Sequence, residues 1–334
     1  MKRKLAFLLM LCFGWSFFLN GCGGTLPKTD DRLQVVCTIF PEYDWARQLT
    51  QGVDNVDLTL LVKNGTDLHS YQPSVRDITM IARADVFCYV GGVSDTWVND
   101  VLDTTENRTA QLVSMAEAAD ADEEVLAEGM QAEHEHEHEH EHDHHDDESD
   151  SHEEPPELDE HVWLSLRRAA LACTAMKEAL CKADPAHEDI YNQNCTDYLQ
   201  KLQELDSDFT EMTSQAARDT IVVADRFPFR YLAEDYGLTY YAAFPGCSAE
   251  TEASFETIVF LSEKVESLHL PCVLVTEGSN SSLAKTILEN AGSDGKILTL
   301  QSLQAVSQKE IDTGVTYLSK MQENYDVLKQ ALNS

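Results

Sequence analysis

The chain has 334 residues, with 59 Asp and Glu against 24 Lys and Arg and a formal charge of −35. That length allows two domains with ample core, and the acidity argues against a nucleic-acid partner while suiting a cationic ligand. Twenty of the acids lie in Asp120–Glu160, a stretch with no Lys or Arg, so the rest of the chain is only moderately acidic, at about −15.

Lys2, Arg3 and Lys4 precede an apolar run, Leu5–Leu19, that is too short to span a bilayer comfortably. Together they predict a secretory signal over 1–21. The run ends at Leu19-Asn20-Gly21-Cys22, which resembles a bacterial lipobox. Cys22 is therefore the expected lipidation site and anchor to a membrane, with an uncleaved signal anchor as the alternative. Residues 22–32 read as a polar tether, and no later segment is apolar enough to cross a bilayer. Beyond Cys12 and Cys22 stand Cys37, Cys88, Cys173, Cys181, Cys195, Cys247 and Cys272, an odd number with no CxxC pair. Most fall in strand-like or helix-like runs, which predicts mainly free thiols, a Cys247–Cys272 disulfide being the exception considered.

From Leu33 the pattern alternates strand and helix. Leu33–Ile39 is a strand, and Pro41 opens a helix that carries Trp45 and Leu49 and stops near Gly52. Val56, Leu58, Leu60 and Val62 alternate as a second strand, Asn64-Gly65 turns the chain, and His69 falls on the next loop. Ser74 caps a helix to about Ala84. Asp85–Val90 is a strand ended by Gly91-Gly92, followed by a short helix around Trp97–Leu102 and a strand near Ala110–Val113. This makes a β/α lobe over 33–163.

Its last part contains EHEHEHEHEHDHHDD, Glu133–Asp147. His134, His136, His138, His140, His142 and His144 alternate with carboxylates; His145 follows directly and His152 lies just beyond. Imidazole and carboxylate both ligate borderline divalent metals, above all zinc. A run without apolar residues buries no core, so a disordered loop over about 131–157 is expected to gather metal without fixing one geometry. The bland alternative is a solvated acidic linker. An ordered site is expected elsewhere.

Leu166–Cys181 reads as a helix, and Asp184-Pro185 caps a second to about Gln215, with Tyr198, Leu202, Leu205 and Phe209 at helical spacing. Roughly thirty helical residues would span about 45 Å, long enough for this region, 164–216, to brace two lobes. Strands Thr220–Ala224, Leu238–Ala242, Cys272–Thr276 and Lys296–Leu300 then alternate with helices Phe229–Tyr236, Glu252–Leu268, Ser281–Asn290 and Gln308–Leu332. The expected fold class is α/β: two β/α lobes joined by a long rigid helix, the second lobe over 217–334.

Open α/β sheets bind ligands beyond the carboxyl ends of their strands. His69 follows the Val56–Val62 strand, Asp225 follows Thr220–Ala224, Glu277 follows Cys272–Thr276, and His161 stands where the first lobe hands over to the helices. A metal held by all four would sit in the cleft. Two imidazoles and two carboxylates suit zinc or manganese better than magnesium or calcium. Competing readings are a loop histidine at 69, a core histidine at 161, an Asp225–Arg226 pair, and a solvent-facing acid at 277. His187 and His269 read as structural.

Leu68-His69-Ser70-Tyr71-Gln72-Pro73-Ser74, Asp159-Glu160-His161-Val162-Trp163-Leu164, and Phe229-Arg230-Tyr231-Leu232 through Tyr236-Gly237-Leu238 together resemble the zinc- and manganese-binding lipoproteins that feed bacterial ABC importers. The resemblance covers nearly the whole mature chain, and an acidic histidine loop is typical of the zinc-selective members. It implies a receptor that closes its lobes on Zn2+ (Mn2+ being the second candidate) and passes it to a permease and ATPase. It also implies a monomer at the membrane that does no chemistry on its ligand. His69 and His161 match the family's first two ligands. The family's third ligand position is Arg226 here, which cannot bind a cation, leaving Asp225 as the substitute. The fourth stands at Gln301-Ser302-Leu303, leaving Glu277. The other readings carried forward are a zinc-dependent hydrolase, which lacks an HExxH or nucleophile motif here, and a metal-buffering or adhesive surface lipoprotein.

Overall fold

Residues 32–63, 65–66, 68–105, 109–130, 158–248 and 252–334 are described by the computed structural model. The signal segment, Cys22 and the histidine run (His134, His136, His138, His140, His142, His144, His145 and His152) lie outside the described residues.

Four parallel strands form the first sheet: β1 (Leu33–Cys37), β2 (Val56–Leu60), β3 (Val86–Tyr89) and β4 (Gln111–Ser114), in the order β2-β1-β3-β4. The second sheet repeats that order as β6-β5-β7-β8, with β5 (Thr220–Phe227), β6 (Thr239–Pro245), β7 (Cys272–Thr276) and β8 (Lys296–Leu300), again parallel. Central strands of a parallel sheet are covered on both faces. Hence Val35, Val36 and Cys37 of β1, and Val273, Leu274 and Val275 of β7, are buried as unbroken apolar runs.

Parallel neighbours need crossovers, supplied in the first lobe by α1 (Phe40–Leu49), α2 (Val75–Ile81) and α3 (Trp97–Thr104), with a single turn α4 (Met115–Ala118) after β4. Ser74 caps α2 reciprocally: its hydroxyl accepts from the Asp77 N–H, and its own N–H donates to the Asp77 carboxylate at 2.8 Å. α5 (Leu166–Ala183) and α6 (Glu188–Ser214) follow, then α7 (Arg230–Asp235), α8 (Phe255–Ser267), α9 (Ser282–Asn290), α10 (Gln308–Asp312) and α11 (Tyr317–Asn333). α6 has 27 residues, so it is about 40 Å long. It buries Tyr191, Cys195, Tyr198, Leu202, Leu205, Phe209 and Met212 along one face. That face meets α1 and α5 of the first half and α11 of the second, within one core that spans both sheets. The bracing helix read from the sequence is present.

Two expectations are corrected. β5 does not stop at Ala224 but continues to Phe227 through a register irregularity between Val223 and Arg226. Asp225 and Arg226 thus lie inside the strand instead of beyond it. The final helix is not one element: α10 ends before Gly314, which sits at φ +95°, and Thr316 starts α11 with its own capping box. This break is pinned to α1, because Arg47 donates to the Val315 carbonyl at 2.8 Å and the Tyr317 N–H donates to Asp44 at 2.7 Å. The expectation of free thiols holds for all seven described cysteines, and Cys247 and Cys272 are not joined.

Two buried aromatics fasten the halves at their junction. The Trp163 indole N–H donates to the Ser302 carbonyl at 2.8 Å, and the Tyr317 hydroxyl donates to the Trp163 carbonyl at 2.7 Å. Tyr317→Phe leaves that carbonyl buried without its donor, a loss of about 1–3 kcal/mol. A lower urea midpoint is expected; an unchanged one would show that the bond contributes nothing net.

Candidate metal centre

His69 lies on a 3-10 turn, Leu68–Ser70, beyond the carboxyl end of β2. Glu160 and His161 directly precede a second such turn, Val162–Leu164, which leads through the Ser165 cap into α5. Among the described residues, His69, Glu160 and His161 are the one group of three His, Cys, Asp or Glu side chains able to hold a metal. Their ligand atoms all lie within 4.8 Å of one another. Zinc bonds of about 2.0–2.2 Å need donors roughly 3.3–3.5 Å apart, so a small contraction would complete contact. The two imidazole centroids are 5.5 Å apart.

Each donor is held from behind. Asp159 accepts from the His161 backbone N–H at 3.1 Å and binds its Nδ1 at 2.9 Å. That bond fixes the proton on Nδ1 and leaves the lone pair on Nε2, the arrangement found behind metal-bound histidines. His161 is 0 % exposed, and its Nε2 is buried with no hydrogen-bond partner. A buried polar atom without a partner costs about 1–3 kcal/mol, so an arriving cation would relieve it. Burial opposes charging this imidazole, but the hydrogen bond and charge of Asp159, with Glu160 and Glu124, outweigh it and raise its pKa.

Ser94 links the other two. Its hydroxyl donates to Glu160 Oε1 and lies 2.7 Å from His69 Nδ1, while its N–H donates to Glu160 Oε2 at 3.0 Å. With the hydroxyl proton on the carboxylate, His69 donates from Nδ1 and keeps its lone pair on Nε2. Burial raises the Glu160 pKa, against the pull of His161 and the Ser94 bonds. Two glycines permit this crowding. A Cβ on Gly92 would stand 2.2 Å from Glu160 Oε2, and one on Gly246 would stand 2.9 Å from His161 Cε1. Gly246 follows β6, so the second half of the chain walls the site against His161.

The structure brings together His69 and His161 and does not bring Asp225 or Glu277 to them. Asp225 Oδ2 accepts from the Thr276 hydroxyl at 2.7 Å, and Oδ1 accepts from the Arg226 N–H at 2.9 Å. It ties β5 to β7. Glu277 accepts from the Ser302 N–H and hydroxyl, both at 2.6 Å, and so fixes the Gln301-Ser302-Leu303 turn. Burial raises its pKa against those bonds. Sequence reasoning missed Glu160 as a candidate donor, Ser94 as its support and Asp159 as the support of His161. The available signal was Asp-Glu-His itself, since a carboxylate two residues before a ligand histidine can orient its ring. His187 bonds Asp184 at 2.7 Å, in keeping with a structural role.

Comparison with known proteins gives a consistent result. The family model described as ZnuA, zinc-uptake complex component A, periplasmic, matches residues 35–331. The chain is 31% identical over 330 residues to the zinc-binding lipoprotein AdcA of Streptococcus pneumoniae, covering 99% of this chain and 61% of that protein. It thus spans about three-fifths of the length of those streptococcal relatives. To the high-affinity zinc uptake system protein ZnuA of Bacillus subtilis it is 30% identical over 331 residues, covering 98% of this chain and 96% of that one. The Zn(II)-bound ZnuA-like domain of S. pneumoniae AdcA superposes with a TM-score of 0.68 at 28% identity, over 91% of this chain and all of that domain. The metal-dependent lipoprotein YcdH of B. subtilis gives 0.71 at 25% identity, over 90% of this chain and all of that one. With two parallel-sheet lobes, a bracing helix and a match along almost its whole described length, this chain belongs to the ZnuA family of zinc-uptake components.

Proposed function

We propose that this chain is an extracytoplasmic receptor that captures Zn2+ and delivers it to an ABC importer. The observation that carries the reading is His161 Nε2: buried, oriented by Asp159, without a protein partner, and grouped with His69 and Glu160. Two imidazoles and one carboxylate favour zinc over manganese, and the relatives' names point the same way. The ion is cargo, so nothing is turned over. In this reading Cys22 carries the lipid that holds the protein at the membrane, which no helix among the described residues is long and apolar enough to cross. The permease and ATPase are its partners, and it works as a monomer. Residues 22–32 are the tether, and His134 through His152 gather zinc ahead of the ordered site.

The test is metal titration of the chain with and without residues 131–157. One tight zinc per molecule is expected in both, with only weaker additional binding lost on deletion, and a tenfold excess of manganese should not displace it. Loss of the tight event on deletion would move the site into the histidine run and sink the assignment.

A further inference from the structure

We propose that Glu124 supplies a fourth donor to this site, at its solvent side. The inference rests on reading His69, Glu160 and His161 as a zinc site.

Glu124 lies on the segment that leads from α4 toward the histidine run, and this segment is laid across the second half of the molecule. The Asp122 N–H donates to the Tyr231 hydroxyl at 2.9 Å, Arg230 donates to the Glu123 carbonyl, and Glu123 pairs antiparallel with Leu158 on the returning strand of chain. Held so, Glu124 Oε1 accepts from the Cys247 N–H at 3.3 Å. Cys247 is the neighbour of Gly246, whose α-carbon faces the His161 ring edge between Nδ1 and Cε1. One turn therefore touches both the Glu124 carboxylate and the imidazole whose Nε2 has no partner.

Coordination number agrees. Zinc takes four donors, and the described group has three; Glu124 stands outside that group and would swing in from the Cys247 N–H to join it. Glu160 and His161 are 0 % exposed, whereas Glu124 is only partly buried. A cation arriving from water would thus meet a carboxylate before the enclosed donors.

The test is competitive zinc titration and cobalt(II) absorption on the full chain carrying Glu124→Gln, Glu124→Asp or His161→Ala. Gln keeps an oxygen for the Cys247 N–H, and thermal melting of the metal-free variants confirms folding. Glu124→Gln should weaken zinc by about 10- to 100-fold and lower the visible cobalt bands, with Glu124→Asp intermediate. An unchanged affinity and spectrum in Glu124→Gln, with binding lost in His161→Ala, would make water the fourth ligand and overturn the proposal. A sulfur-to-cobalt charge-transfer band would assign the position to Cys247 and overturn it equally. Tight binding retained in His161→Ala would remove the site itself, and this donor with it.

Discussion

His161→Ala is expected to weaken zinc binding by roughly 100- to 1,000-fold and to abolish the zinc-dependent rise in melting temperature. Closed zinc sites of four donors bind with about 10–16 kcal/mol, so one donor is worth about 3–4 kcal/mol, or two to three decades. The neighbours cannot compensate. Asp159 points at His161 Nδ1 and would face a cavity, and Gly246 has no side chain to fill it. The metal-free variant is itself less stable, because Asp159 is 2 % exposed and loses its imidazole partner, keeping the backbone N–H of residue 161. The informative readout is therefore the difference in melting temperature between zinc-loaded and metal-free protein, which follows ligand binding to the native state. His187→Ala, at a histidine bonded to Asp184 away from the cluster, should leave that difference intact. A His161→Ala protein that still melts higher with stoichiometric zinc would show that the tight site lies elsewhere.

Much of this architecture was legible because burial leaves a pattern. The apolar runs of β1 and β7, the Ser74 cap and the spaced aromatics of α6 each specify an element locally. The break at Gly314 was written locally in Thr313-Gly314-Val315-Thr316, poor helix formers with a glycine stop and a threonine cap, and attachment to Asp44 and Arg47 pins it in place. At the site, His69 could be singled out because it follows a strand end and His161 because it stands where the first lobe hands over to the helices. Carboxylates have many structural uses. Asp225 and Glu277 stand at the expected edge, yet each closes a hydrogen bond to a hydroxyl in its own sheet or turn, from Thr276 and Ser302. Nothing in the order of residues distinguishes that use from ligation. Glu160 was hidden for the opposite reason: its direction depends on the backbone turn before Val162 and on a glycine at position 92 that lets it approach.

Metal-free protein should be markedly more stable near pH 5 than near pH 8.5, with zinc reversing the trend. The cause lies beneath the site, in two enclosed acids. Glu42 is 0 % exposed and accepts from the Thr38 N–H at 2.7 Å; burial and then repulsion from Asp95 push its pKa up to about 8 despite that bond. Burial and then Glu160 push Asp95 up to about 7, against the N–H groups of Gly91 and Val90. Both values exceed those of the unfolded chain, about 4. The folded state therefore holds protons that the unfolded state has released. This contribution is complete below about pH 4 and is lost as pH rises through 7 and then 8. At 1.36 kcal/mol per pH unit it is on the order of 4 kcal/mol for Glu42. The Asp95 share overlaps with it, because their mutual repulsion enters both. Zinc has the opposite slope: ligation needs neutral imidazoles and ionised carboxylates, and Asp159 raises the proton affinity of His161. Urea midpoints at the two pH values, with and without zinc, separate the two effects, and Glu42→Gln should flatten the metal-free slope alone. A metal-free midpoint that climbs with pH would contradict the buried protons. If the slopes are as described, acid strips zinc from a chain whose metal-free form is most stable at that same pH, so release needs no unfolding.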